Sequence, residues 1–244
     1  MNKLQKDTTE YILYSPDSLK YITDNIYKPL DESITFYKKL FDIKEFRKVQ
    51  INFFDNIEDF RNYIYELRKD GKVLPSYAKG TFDKGMINAF IETNWLVNSP
   101  MYNKKLYMAS HELFHIMYKE LIWEKENKQR IIWFDEGMAQ RFSGEYSEGL
   151  NDENFSFWFN SLIENTKEIP NLNDLSHGDG FETPNYSGYK LSLLAVKYLC
   201  ETLSFDDFKA LMHNTKEILE YGKTVVNDAI SYYKEKLRGG KNEI

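Results

Sequence analysis

His111 and His115 stand four residues apart in the stretch SHELFHIMYKE, with Glu112 directly after the first of them. On a helix that spacing puts both imidazoles on one face, a turn apart, within reach of a single metal ion. Zinc accepts such nitrogens at about 2.0–2.1 Å. Glu112 is rotated by about 100° from His111, which sets it beside the metal, where it can take a proton from water as a metalloprotease base does. Two histidines do not finish a catalytic zinc site, because zinc takes three protein ligands and leaves one position to water. A chance HExxH has no third ligand, so the rest of the chain must separate the two readings.

The segment IIWFDEGMAQRFSGE follows, and 20 residues lie between His115 and its Glu136. HELFH followed by WFDEGMA resembles the gluzincin metallopeptidases, whose pattern is HExxH, a spacer, and a helix reading tryptophan-hydrophobic-x-Glu-Gly-x-Ala. The resemblance implies that His111, His115 and Glu136 are the ligands of one zinc ion and that Glu112 is the general base. It implies a zincin, thermolysin-like α+β fold. Two histidines and a carboxylate also serve non-haem iron, but HExxH with a base at its second position fits zinc hydrolysis better. Asp135 and Gln140 are candidates to orient a ligating histidine from behind. Trp133 and Phe134 read as packing. Gly137 costs about 1 kcal/mol in a helix relative to alanine, and with Ala139 it is expected to let this helix approach the HELFH helix closely.

The chemistry so implied is metal-assisted hydrolysis, in which zinc brings the pKa of water toward about 7 and Glu112 removes the proton. The oxyanion then needs a donor, commonly worth about 3 kcal/mol. Tyr189 is the first choice, in a Tyr-x-x-Ser register with Ser192 that resembles smaller members of the family. Tyr186 and His177 of the SHGDG loop are weaker candidates, and the plain alternative is that both tyrosines pack the loop-to-helix junction. His213, after FKALM, reads as a helix C-terminal residue with no catalytic role.

These residues need elements to hold them. TEYILYS and FRKVQINFF look like strands, and apolar residues at helical spacing run through Leu19, Ile22, Ile26, Leu30 and Ile34 and again through Ile57, Phe60, Ile64 and Leu67. Pro29 is expected to kink or split the first helix. YAKGTF and GMINAFIE flank Asp83, Lys84 and Gly85 and read as a hairpin. From about Lys104 the period becomes helical, with Leu113, Phe114 and Met117 on the packed face of the HELFH helix, Lys105 and Glu112 in its open sector, and the histidines at the border. The expected organisation is an N-terminal mixed α/β lobe with an edge strand over residues 1–103, a mostly helical lobe over 104–244 carrying the zinc site, and a cleft between them.

GMINAFIE, the last strand before the zinc helix, is the expected edge on which a peptide substrate adds by main-chain hydrogen bonds. Aminopeptidases of the clan carry a GxMEN strand whose glutamate holds the free amine, and GMINA lacks it. The thermolysin-type Ser-Asp after the glutamate is absent too. An endopeptidase is therefore expected over an aminopeptidase, acting on a peptide or protein. The alternative is a catalytically silent zincin-fold binding or regulatory protein.

Composition narrows the partners. The net charge of −6 and pI near 5.4 come with both signs scattered along 244 residues, so no basic stripe marks a nucleic-acid groove. No apolar run approaches the roughly 18 residues of a membrane span, and the N-terminus lacks a signal-peptide core. Cytoplasmic location is expected as the chain stands, or secretion if a leader has been removed. The single cysteine, Cys200, rules out an internal disulfide.

Overall fold

Alternation of apolar and polar residues in Tyr11–Ser15 and Val49–Phe54 makes two strands, β2 and β3, that bury Tyr11, Leu13, Val49, Ile51 and Phe53. The computed structural model describes residues 2–71, 73–74, 78–93, 105–145, 152–176 and 180–239. Strand β1, Lys3–Asp7, which the sequence pattern did not mark, pairs antiparallel with β2. Its burial is too slight to leave an apolar alternation in the sequence. Strands β4 (Gly80–Asp83) and β5 (Met86–Phe90) form the expected hairpin, with Lys84 at φ 49° and Gly85 at φ 72°. Two positive φ values in a two-residue loop are what a type I′ hairpin turn needs.

The five strands form one mixed sheet in the order β1-β2-β3-β5-β4, with β2, β3 and β5 parallel. This corrects the expected edge. GMINAFIE supplies β5, which is paired on both sides, by β3 and by β4. The hairpin turns its first strand outward, so among the described residues Gly80–Asp83 is one edge of the sheet and β1 the other.

Helix α1 (Lys20–Leu40) runs unbroken through Pro29 and is not split. Its buried stripe, Ile22, Ile26, Leu30, Ile34, Tyr37 and Leu40, continues past the proline, and the burial of that stripe outweighs the one missing donor. Helix α2 (Ile57–Arg68) starts on Asn56, whose side chain accepts from the backbone N–H groups of Glu58 and Asp59. Phe60 and Ile64 of this helix cluster with Phe90 of β5.

The later chain is helical as expected: α3 (Met108–Tyr118), continuing as a π-helical turn at Lys119–Trp123, then α4 (Ile132–Ser143), α5 (Asp152–Asn165), α6 (Gly188–Thr202), α7 (Phe205–Met212) and α8 (Thr215–Gly239). The chain divides into two compact units, Met1–Met117 with Phe142–Glu145, and Tyr118–Arg141 with Tyr146–Ile244. Among the described residues no helix is long and apolar enough to cross a membrane.

Gly137 has a different use from the expected one. A β-carbon there would meet the Ser192 carbonyl oxygen at 2.5 Å and Val196 Cγ2 at 2.7 Å, both on α6. The glycine therefore lets α4 lie against α6, and the obstacle is backbone that cannot swing aside. Gly137→Ala should destabilise the protein by about 1–3 kcal/mol, read as a lowered urea midpoint; an unchanged midpoint would show that α6 gives way freely.

Candidate metal centre

Helix α3 buries Ala109, Leu113, Phe114, Ile116, Met117 and Tyr118, which lie on more than one side of it. His115 and Lys105 are buried too, against the expectation of a border histidine and an open lysine. The expectation assumed an amphipathic helix, whereas here most sides of the helix face protein. Tyr37 of α1 donates from its hydroxyl to the Ser110 carbonyl at 3.0 Å, one residue before His111. Phe114 packs edge-on to Tyr37 at 5.4 Å and against Phe41 and Phe142. These contacts hold the helix in place beneath the histidines.

His111 Nε2 and His115 Nε2 lie 3.1 Å apart with their rings at 77°. Two nitrogens on one tetrahedral zinc would lie roughly 3.3 Å apart, given bonds of about 2.0–2.1 Å. The imidazoles thus stand at close to the separation that one ion requires. Phe82 stacks on the His115 ring at 5.4 Å and 29°. On the other histidine, Nδ1 of His111 lies 2.9 Å from Glu145 Oε2, in contact but without the alignment of a full hydrogen bond. A carboxylate behind a ligating histidine fixes its tautomer and raises its basicity. Glu145 is thus a further candidate for the orienting role, beside Asp135 and Gln140, and as one acid among 38 Asp and Glu it carried no sequence signal.

Helix α4 is anchored by Trp133 and Phe134, both fully buried and packed edge-on at 5.3 Å. Asp135 and Glu136 are also buried, and Arg130 serves both. Its Nε donates to Asp135 Oδ2 and its Nη2 to Glu136 Oε1, the latter at 3.0 Å. Burial alone would favour loss of the Arg130 proton, but the two carboxylates outweigh it and hold the guanidinium above its ordinary pKa. Asp135 thus turns to an arginine. Gln140 Nε2 donates to the carbonyls of Glu136 at 3.1 Å and Tyr189 at 3.2 Å, tying α4 to the start of α6.

His111, His115 and Glu136 each offer a ligand atom within 4.8 Å of the others, and the group could hold a metal ion. Two imidazoles and a carboxylate are a donor set that zinc accepts. Tyr189 lies in the first turn of α6, edge-on to Phe181 at 4.6 Å. Tyr186 donates to the Gly180 carbonyl at 3.1 Å, which is the packing role set against it. His177 lies outside the described residues. His213 caps the C-terminus of α7 and touches Glu126.

No protein-family model matches the chain, and no curated protein matches it. Among solved structures it is similar to an aminopeptidase N family protein from Idiomarina loihiensis, at TM-score 0.51 and 15% identity. The match covers 93% of this chain and 42% of that one, so the chain spans less than half the length of that protein. At this identity the likeness concerns the fold: a mixed α/β arrangement of the aminopeptidase type.

Removing the carboxylate behind His111 should weaken the metal. Glu145→Ala is expected to lower zinc affinity about 10- to 100-fold without unfolding the protein, as measured by chelator competition on the metal-free chain. Parental affinity would mean that His111 is oriented by its helix alone.

Proposed function

We propose that the protein is a zinc metallopeptidase that hydrolyses peptide bonds, an endopeptidase rather than an aminopeptidase. The observation that carries this reading is the convergence of His111, His115 and Glu136, with Glu112 beside the first histidine on the same helix. Bound zinc would acidify water and polarise the substrate carbonyl. The protein's own residues supply the rest. His111 and His115 would hold the ion through Nε2 and Glu136 through its carboxylate, while Glu112 accepts a proton from water and passes it to the leaving amine. Tyr189 is the proposed donor to the oxyanion.

The substrate main chain is proposed to add along β4. This edge strand turns one face toward the histidine helix, since Phe82 on it stacks on His115. Residues two apart on a strand share a face, so Thr81 and Asp83 point the other way. Asp83 is held there by both nitrogens of a two-pronged pair with Arg68, at 2.9 and 3.0 Å. No acid of this strand is thus offered to a substrate amine, which favours cleavage within a chain over removal of its first residue. The aminopeptidase likeness in fold is compatible with either.

The test is metal analysis together with a protein-cleavage assay. One zinc per chain is expected, lost in His111→Ala. Glu112→Gln should keep the zinc and lose at least about 100-fold in kcat. A folded protein that binds no zinc and ignores chelators would sink the proposal, and zinc occupancy without cleavage of any peptide in a broad library would make it a binding protein.

A further inference from the structure

Glycine weakens a strand because it contributes no packing and loses the most conformational freedom on folding. Gly80 nevertheless opens β4. Its backbone does not call for glycine, since its φ lies outside the left-handed region, unlike Gly71, Gly85 and Gly144. Space does. A β-carbon at this position would stand 2.7 Å from Glu112 Oε1, 3.5 Å from Glu112 Cδ and 3.5 Å from Met108 Sδ. The carboxylate of Glu112 therefore rests on the bare backbone of the edge strand.

Two residues further along, on the same face of β4, Phe82 lies on the His115 ring. One face of a single short strand thus meets helix α3 twice, filling the space beside a metal-ligand candidate and leaving a slot for the neighbouring acid. The pattern of glycine, then one residue, then phenylalanine matches the two depths required.

We propose that Gly80 is a positioning residue for Glu112: its missing side chain forms the slot that sets where the carboxylate stands relative to the edge strand. This rests on the reading of Glu112 as the general base. A peptide added along β4 would have its main chain at the level of that slot, so the strand that receives the substrate also gauges the base against it. A base misplaced by about 1 Å can cost on the order of 100-fold in rate. The obstructed atom is the tip of a flexible side chain, so a methyl group at position 80 is accommodated by moving the carboxylate.

The test combines structure and kinetics on the full chain. Crystal structures of the metal-free parent and of Gly80→Ala should show Glu112 Oε1 displaced by several tenths of an ångström or in a new rotamer. With zinc, Gly80→Ala should keep parental zinc affinity and lose about 10- to 100-fold in kcat, with KM changed little. Glu112→Asp shortens the acid by one methylene and withdraws it from the slot, so adding Gly80→Ala in that background should cost little further. If Gly80→Ala alone does not fold, the double variant should. An unmoved carboxylate, a parental kcat, an equal loss in both backgrounds, or two variants that both fail to fold would each overturn the proposal. A parent without hydrolysis defeats the peptidase reading separately, while the metal-free structures still decide whether Gly80 sets the acid.

Discussion

Two imidazole nitrogens held 3.1 Å apart form the constraint around which the first unit is arranged. Apposed lone pairs, or a lone pair and a shared proton, do not by themselves keep two rings converged, so the surroundings must. Phe82 blocks one ring from turning, Glu145 sits behind the other, and Tyr37 pins the backbone just before them. Each of these residues comes from a different part of the chain: the hairpin, the turn after the glutamate helix, and the long first helix. Contacts of this kind are what hold a set of candidate ligands in one geometry.

The glutamate helix faces the opposite problem, since it must keep charge where there is little water. Asp135 and Glu136 are adjacent, buried acids, and two such carboxylates without a cation would be strongly disfavoured. Arg130 resolves this with one planar group that donates to both. The pairing also fixes the direction of Glu136 Oε1. Gly137 follows immediately because the same helix must lie against the Ser192 carbonyl. Four successive functions, counterion, buried acid, ligand candidate and close contact, are thus packed between Arg130 and Gly137.

Much of this could be read from residue order. The spacing of His111 and His115 needed only helical periodicity, and Glu136 needed the resemblance of WFDEGMA to a known pattern. Trp133 and Phe134 were legible as packing because large aromatic residues beside a buried acid have few other uses. The hairpin was legible because Asp83, Lys84 and Gly85 allow the positive φ values it requires. The sheet edge was not legible for a physical reason: order along the chain does not give order in the sheet, and only the pairing of β5 with both β3 and β4 shows that it lies inside. The burial of His115 and Lys105 was likewise hidden, since helical spacing does not say how many sides of a helix are covered.

Local chemistry is therefore what the sequence determined: two histidines one helical turn apart, an acid beside them, and a glutamate helix to follow. The first two depend on short-range geometry, fixed by the 3.6-residue repeat and readable in any chain that forms a helix there, and the third on its resemblance to a known pattern. Tertiary structure alone decided which residues surround the ligand candidates. Glu145, Phe82 and Gly80 are distant from His111 in sequence or unremarkable in type, and they matter only because folding brings their atoms, or the absence of a side chain, within a few ångströms of the helix. Contacts of that kind are set by strand order and helix packing, which no local periodicity encodes.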